Sequence, residues 1–234
     1  MDLKKKIDVY LDGPTIEEIK SFNDNYIKGY TFNPSLFRAN KVANYLSHCK
    51  KLSKLINKQP ISLEVIADDD KNIIRQAEIL SNLGKNVFVK IPITNTKGKI
   101  SKNIIKNLSS KKINLNITAI FTLEQVKEII NSLDNKEHIL SIFAGRIYDI
   151  GIDALEHTKK INKFIKKNSN CKSLWASPRM VYDLQNSIKA KSDIITMSPQ
   201  LIKKIDLFKK SPKNYSLETV KMFYNDAKKS NYKL

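Results

Sequence analysis

Glycine is scarce, six residues in 234, and it is missing from the places where phosphate-cradling loops need it. After the first strand-like run, Asp12-Gly13-Pro14-Thr15 supplies one glycine, so the glycine-rich turn of a dinucleotide-binding sheet is excluded. Gly98-Lys99 runs into Ile100 and lacks the upstream glycine of a Walker loop. Cysteine is nearly absent too: Cys49 and Cys171 cannot build a disulfide framework and show no CxxC spacing. Nothing approaches the ~18 consecutive apolar residues of a membrane span. Met1-Asp2-Leu3-Lys4-Lys5-Lys6 passes directly into a strand-like run, without the apolar core or small-residue cleavage site of a signal peptide. A reduced cytoplasmic protein without a membrane partner is expected.

Acidic residues are also few, 23 against 42 Lys and Arg, leaving a net charge of +19. Such a balance invites a nucleic-acid reading. The positive charge, however, is overwhelmingly lysine and is spread along the chain on helix faces such as Lys159, Lys160, Lys163, Lys166 and Lys167. No RNP, zinc-finger or GxxG signature focuses it. Nucleic acid is therefore not an expected partner, whereas a basic surface suits phosphorylated metabolites.

What the chain has in quantity is alternation. Strand-like runs at residues 7–12, 29–33, 61–66, 87–93, 115–121, 139–144, 174–177 and 194–197 are each followed by a helical stretch. The first of those stretches starts at Thr15, and the others lie near residues 41–56, 71–83, 101–108, 123–133, 154–167, 181–188 and 201–208, with a last helix at 217–229. Thr15 and Glu18 have capping-box spacing, and Gly84 stands where a helix should stop. Eight strand–helix units without a linker or low-complexity tract predict α/β architecture: one (β/α)8 TIM barrel over residues 1–234, with C-terminal helices. An open doubly wound sheet is the competitor.

In a barrel the chemistry gathers where strands end. Lys90 sits inside Val87-Phe88-Val89-Lys90-Ile91-Pro92-Ile93, an apolar run that reads as a fully buried strand. An ammonium taken out of water without a partner costs several kcal/mol, which favours the neutral, nucleophilic amine needed to attack a carbonyl. The alternative is a strand-end lysine whose ammonium snorkels to water. Other polar residues recur at comparable positions: Asp12, Asn33 and Glu64 on the first three strands, and Asn116 and Thr118 on one face of the fifth. Ser141 and Phe143 share a face of the sixth, which runs into Arg146, while Ser177 and Arg179 end the seventh. Singly each has an ordinary explanation, such as turn chemistry for Asn33 before Pro34. Together they converge on one end of the barrel.

The strings Tyr10-Leu11-Asp12, Thr31-Phe32-Asn33-Pro34-Ser35-Leu36, Ser62-Leu63-Glu64-Val65 and Val89-Lys90-Ile91-Pro92-Ile93-Thr94 resemble ordered motifs of transaldolases. So do Asn116-Ile117-Thr118, Phe143-Ala144-Gly145-Arg146-Ile147 and Ala176-Ser177-Pro178-Arg179. In size the chain is similar to the short group, which includes fructose-6-phosphate aldolases. The resemblance implies a Schiff-base mechanism with no metal and no cofactor, acting on sugar phosphates. Under it Lys90 is the Schiff-base residue, Asp12 the acid/base, and Glu64 and Thr118 the pair that holds a water. It also assigns Asn33, Asn116 and Ser141 to the three-carbon unit, and Arg146, Ser177 and Arg179 to the phosphate. A homo-oligomer is expected on the same grounds.

Two departures stand out: Phe32 replaces a threonine usual in the family, and Gly13 follows Asp12 where threonine is usual. Strand alternation turns Phe32 away from the face of Asn33. The aldolase branch carries tyrosine on the sixth strand and glutamine on the third, whereas this chain has Phe143 and Glu64, the transaldolase pattern. A transaldolase is the expected activity. A free aldolase on the same barrel and a non-catalytic basic binding protein are the alternatives.

Overall fold

The computed structural model describes residues 6–22, 26–230 and 232. Eight parallel strands close on themselves in chain order, forming a (β/α)8 TIM barrel. They are β1 Asp8–Asp12, β2 Ile27–Thr31, β3 Ile61–Glu64, β4 Val87–Pro92, β5 Leu115–Ile120, β6 Ile139–Ile142, β7 Lys172–Trp175 and β8 Ile194–Met197. The helices are α1 Ile16–Ser21, α2 Pro34–Ala39, α3 Tyr45–Leu55, α4 Asp70–Ser81, α5 Lys102–Ser110, α6 Leu123–Ile129, α7 Ala144–Asp149, α8 Ala154–Asn168, α9 Asp183–Lys189, α10 Pro199–Lys203 and α11 Pro212–Lys229. Two compact units divide the chain, Met1–Pro199 and Gln200–Leu234, and the barrel closes within the first. No helix among the described residues is long and apolar enough to cross a membrane.

Period-two alternation explains the layering. Val9, Leu11, Ile61, Leu63, Val89, Ile91, Ile117 and Leu140 are all fully buried, on the face that the helices cover. The opposite face fills the barrel. Part of it is apolar, with Tyr10, Ile139, Leu174, Ala176 and Ile194 packed together and Phe88 and Phe143 against them. Polar inward positions gather with Leu174, Ala176 and Phe143 around the pocket that forms the site.

Two short helices were not foreseen. The strand expected to reach Asn33 stops at Thr31; Asn33 instead caps a helix, its Oδ1 accepting from the Leu36 amide at 2.9 Å with Pro34 as the first helical residue, so α2 starts at once. The helix expected over 41–56 is accordingly narrowed to α3. Likewise β6, expected to reach Ala144, stops at Ile142, and residues 144–149 coil into α7. The expected capping box is present: Thr15 Oγ1 accepts from the Glu18 amide, and Glu18 Oε2 from that of Thr15.

Candidate active site

β3 and β4 pair so that Glu64 lies beside Lys90, and β4 and β5 so that Lys90 lies beside Asn116. Lys90 is thereby brought inside the barrel, 6% exposed, with its Nζ 3.2 Å from Glu64 Oε2. The amine has an ion-pair partner, which corrects the picture of a lone desolvated lysine. Such a pair is costly to break, since removing one member strands the other charge. Tyr45, on α3, donates to the Glu64 carbonyl at 2.5 Å and ties that strand end to the surrounding helices.

Asp12 lines the same pocket as Lys90. Desolvation pushes its carboxyl above the usual carboxylate range, while the Lys90 charge and a hydrogen bond from Thr31 act against the rise. A carboxyl poised in this way is suited to exchanging protons nearer neutrality than an ordinary aspartate. Next to it Gly13 has φ +60°, a left-handed conformation that favours glycine, and its amide donates to the Thr31 carbonyl.

On β5, Asn116 is held from both sides. Its Nδ2 donates to Ser62 Oγ at 3.0 Å, and its Oδ1 accepts from Ser141 Oγ at 2.7 Å. Thr118, two residues on, lines the pocket, and its buried Oγ1 has no partner among the protein groups. A buried hydroxyl left open in this way asks for a functional reason. Immediately after it the strand is irregular: the register breaks between Ile117 and Ile120, and Ala119 adopts φ +57°. Strain of this kind concentrates at sites where the chain must aim a side chain.

The mouth is completed by Asn33, Ser141, Phe143, Arg146, Ser177 and Thr196 around a cavity of about 80 Å³. The Arg146 guanidinium lies over the Phe143 ring, 5.3 Å from its centroid. Ser177 is held at φ +60°. Arg179 stands apart, because its side chain forms a bidentate pair with Asp149 at the end of α7 and is not among the pocket-lining residues. Asn33 spends its Oδ1 on the α2 cap, so its Nδ2 is the group it can offer a ligand. Phe32 is fully buried on the other face of β2, its ring 5.6 Å from that of Phe37, as strand alternation requires.

Four residues of this pocket lie outside the candidates read from the sequence, the apolar Leu174 and Ala176 and the polar Thr31 and Thr196; the two threonines bear on the chemistry. Both are common β-formers inside strands, and only the register of β1 against β2 and β8 sets Thr31 beside Asp12 and Thr196 beside Tyr10. A larger cleft, about 670 Å³, lies at the opposite end of β4 and β5, lined by Lys85, Lys111, Lys112 and Lys136. Helices α4 and α5 end there, and Lys111 pairs with Glu78 while Lys112 pairs with Asp134.

The profile of the Transaldolase/Fructose-6-phosphate aldolase family matches residues 9–234. A Nitrosopumilus maritimus protein named "Probable transaldolase" is 31% identical over 200 residues, covering 84% of this chain and 86% of the relative. A Clostridioides difficile protein of the same name is 33% identical over 195 residues, covering 82% and 86%. Among solved structures, 2,3-dimethylmalate lyase superposes with a TM-score of 0.59 at 10% identity, over 97% of this chain and 84% of that one. A Sinorhizobium meliloti protein in an open-loop conformation gives 0.62 at 9% identity, over 84% and 52%, so this chain spans about half its length. At such identities the structures speak for the barrel alone. The sequence relatives and the profile say more: the chain belongs to the transaldolase/fructose-6-phosphate aldolase family.

Proposed function

We propose that this chain is a transaldolase that transfers a dihydroxyacetone unit between sugar phosphates through a Schiff base on Lys90. The observation that carries the reading is Lys90 itself, the one buried lysine among the described residues, paired with Glu64 in the pocket that holds Asp12. Once deprotonated, the amine adds to the ketose carbonyl, and the carbinolamine loses water to give an iminium. Asp12 takes the proton of the hydroxyl beyond the bond to be broken. The bonding pair then flows into the iminium, leaving an enamine on Lys90 and a free aldehyde. Glu64 and Thr118 hold the water that carries protons during formation and hydrolysis of the imine. Asn33, Asn116 and Ser141 bind the hydroxyls of the three-carbon unit.

The donors are sedoheptulose 7-phosphate and fructose 6-phosphate, and the acceptors glyceraldehyde 3-phosphate and erythrose 4-phosphate, as in a cytoplasmic pentose phosphate pathway. The retained Lys90, Asp12, Glu64 and Thr118 argue against a binding protein without catalysis, because each is awkward to keep inside a barrel without a use. We take the dispersed lysines as general surface charge and not as a nucleic-acid footprint. A homo-oligomer fits α11, which buries none of its residues and exposes Leu217, Val220, Met222 and Phe223, an apolar surface that a second copy would cover.

Transferase is favoured over free aldolase by Phe143. It lines the pocket but has no hydroxyl with which to activate water, so the enamine is protonated slowly and waits for an aldehyde. Fructose 6-phosphate should therefore turn over rapidly only when erythrose 4-phosphate is present, and Phe143→Tyr should increase release of free dihydroxyacetone. Rapid release by the wild type without an acceptor would establish the aldolase reading instead.

The phosphate falls first to Arg146, with Ser177 beside it and Arg179 joining by exchanging Asp149 for the phosphate. Charge-assisted bonds to arginine are roughly twice as strong as neutral ones. Arg146→Ala should raise the KM for phosphorylated acceptors by about 100-fold, and Arg179→Ala by about 10-fold, taking 1.4 kcal/mol per factor of ten. Activity on unphosphorylated aldehydes should be largely kept in both. Equal losses on the two kinds of aldehyde would show that the arginines are structural.

A further inference from the structure

Asp12 has a threonine on each neighbouring strand. Parallel pairing puts Thr31 of β2 beside Asp12, and Thr196 of β8 beside Tyr10, the inward residue two before it. Thr31 Oγ1 is 2.6 Å from Asp12 Oδ1 and 2.5 Å from Thr196 Oγ1. Both threonines are buried, 2% and 4% exposed.

Proton counting fixes the direction of this chain. A threonine hydroxyl has one hydrogen to donate. With Asp12 ionised, Oδ1 can only accept, so the Thr31 proton points at it. The contact between the two hydroxyls is then a hydrogen bond only if Thr196 donates. We infer that Thr196 is a positioning residue which, by donating to Thr31, polarises the Thr31–Asp12 bond, orients the carboxyl and leaves Oδ2 as the oxygen that exchanges protons. In chains of this kind each bond strengthens the next, because charge drawn toward one acceptor makes the donor behind it a better donor. The effect is directed at the anionic form of Asp12, whose proton affinity burial already raises and Thr31 already lowers. The other charged groups of the pocket region are Lys90, Glu64 paired with it, and Arg146. None of the three is a partner of Thr196.

The inference deepens the proposed function, since it assigns Asp12's acid/base role to one oxygen, but its test does not depend on turnover. The side-chain carboxyl of Asp12 can be followed by 13C NMR across pH, its resonance assigned by its loss in Asp12→Asn. Thr196→Val keeps the shape and removes the hydroxyl. Its Asp12 midpoint should move upward by roughly half a pH unit, about a threefold change in proton affinity. Thr196→Ser should stay at the wild-type midpoint. In a Thr31→Val background, where the chain is already cut, Thr196→Val should move the midpoint no further. A midpoint unmoved by Thr196→Val, a shift equal in the Ser and Val variants, or an undiminished shift without the Thr31 hydroxyl would each overturn the inference. Should Thr196→Val fail to fold, Thr196→Ala compared with Thr196→Ser supplies the same contrast. Where the enzyme turns over, the acid limb of kcat/KM should follow the NMR midpoint. Activity is lost as pH falls through it because the base form is consumed. Absence of turnover in the wild type would count against the proposed function and leave the NMR result standing.

Discussion

Lys90→Met is expected to abolish turnover, by on the order of 10⁴-fold or more, as removal of an essential nucleophile does in other enzymes. Borohydride added with fructose 6-phosphate should place a three-carbon unit on the wild-type peptide that contains Lys90, and none on the variant. The expectation rests on burial. The sequence is crowded with lysines, but among the described residues Lys90 alone is buried, and the protein has placed Glu64 3.2 Å from its Nζ. That pairing complicates a simple substitution. Methionine fills the space yet leaves the Glu64 carboxylate without its cation, and breaking a buried pair costs about 3–5 kcal/mol. Loss of activity in Lys90→Met could then follow from unfolding. The double variant Lys90→Met/Glu64→Gln removes both charges, so it should recover much of the lost stability while remaining inactive and unlabelled. Labelling at a different lysine, or turnover in either variant, would refute the Schiff-base assignment.

The residues legible from sequence were those whose chemistry is wrong for their surroundings. A lysine within Val89-Lys90-Ile91 and a glutamate within Leu63-Glu64-Val65 contradict an apolar strand, and the contradiction is itself the signal. Thr31 and Thr196 send no such signal, because threonine belongs in strands and its hydroxyl is masked by its shape. Their meaning arises only when β1 is hydrogen-bonded to β2 on one side and β8 on the other, a relation among segments far apart in the chain. The Lys90–Glu64 pair was hidden for the same reason, and so the amine was expected to be alone. Arg179 shows the converse: its place after the seventh strand is readable, but its bond to Asp149 depends on α7, which lies where the sequence pattern predicts neither strand nor helix between Ala144 and Ala154. A cue was available there. Arg38, Arg75, Arg146 and Arg179 are all the arginines in a chain that otherwise uses lysine, and two of them follow consecutive strands. Where lysine is the default, retained arginine points to a need for its planar fork.

The other large effect should come from a single methyl group. Gly145 lies in the first turn of α7, where the chain leaves β6, and its amide donates to the Ala176 carbonyl at 3.3 Å. A Cβ built on Gly145 would stand 1.6 Å from the Ser177 carbonyl oxygen and 2.6 Å from its carbon. Neither atom is the end of a flexible side chain, so one of the two backbones must move. Ser177 has little freedom to yield: it is already at φ +60°, and Asp183, fully buried, accepts from the amides of Arg179 at 2.7 Å and Met180 at 3.2 Å just beyond it. Gly145→Ala should therefore destabilise the fold by about 3 kcal/mol, at the upper end of the usual cost of overpacking. It should also separate Arg146 from Ser177, the two pocket residues flanking the contact, and raise the KM for phosphorylated substrates by at least 10-fold. Lys90, Glu64 and Asp12 are carried by β4, β3 and β1, strands that do not touch this crossing, so borohydride trapping of unphosphorylated dihydroxyacetone should persist in the folded fraction. A thermal midpoint and a phosphate-dependent KM both equal to wild type would mean that the close approach of α7 to the end of β7 does not build the phosphate subsite.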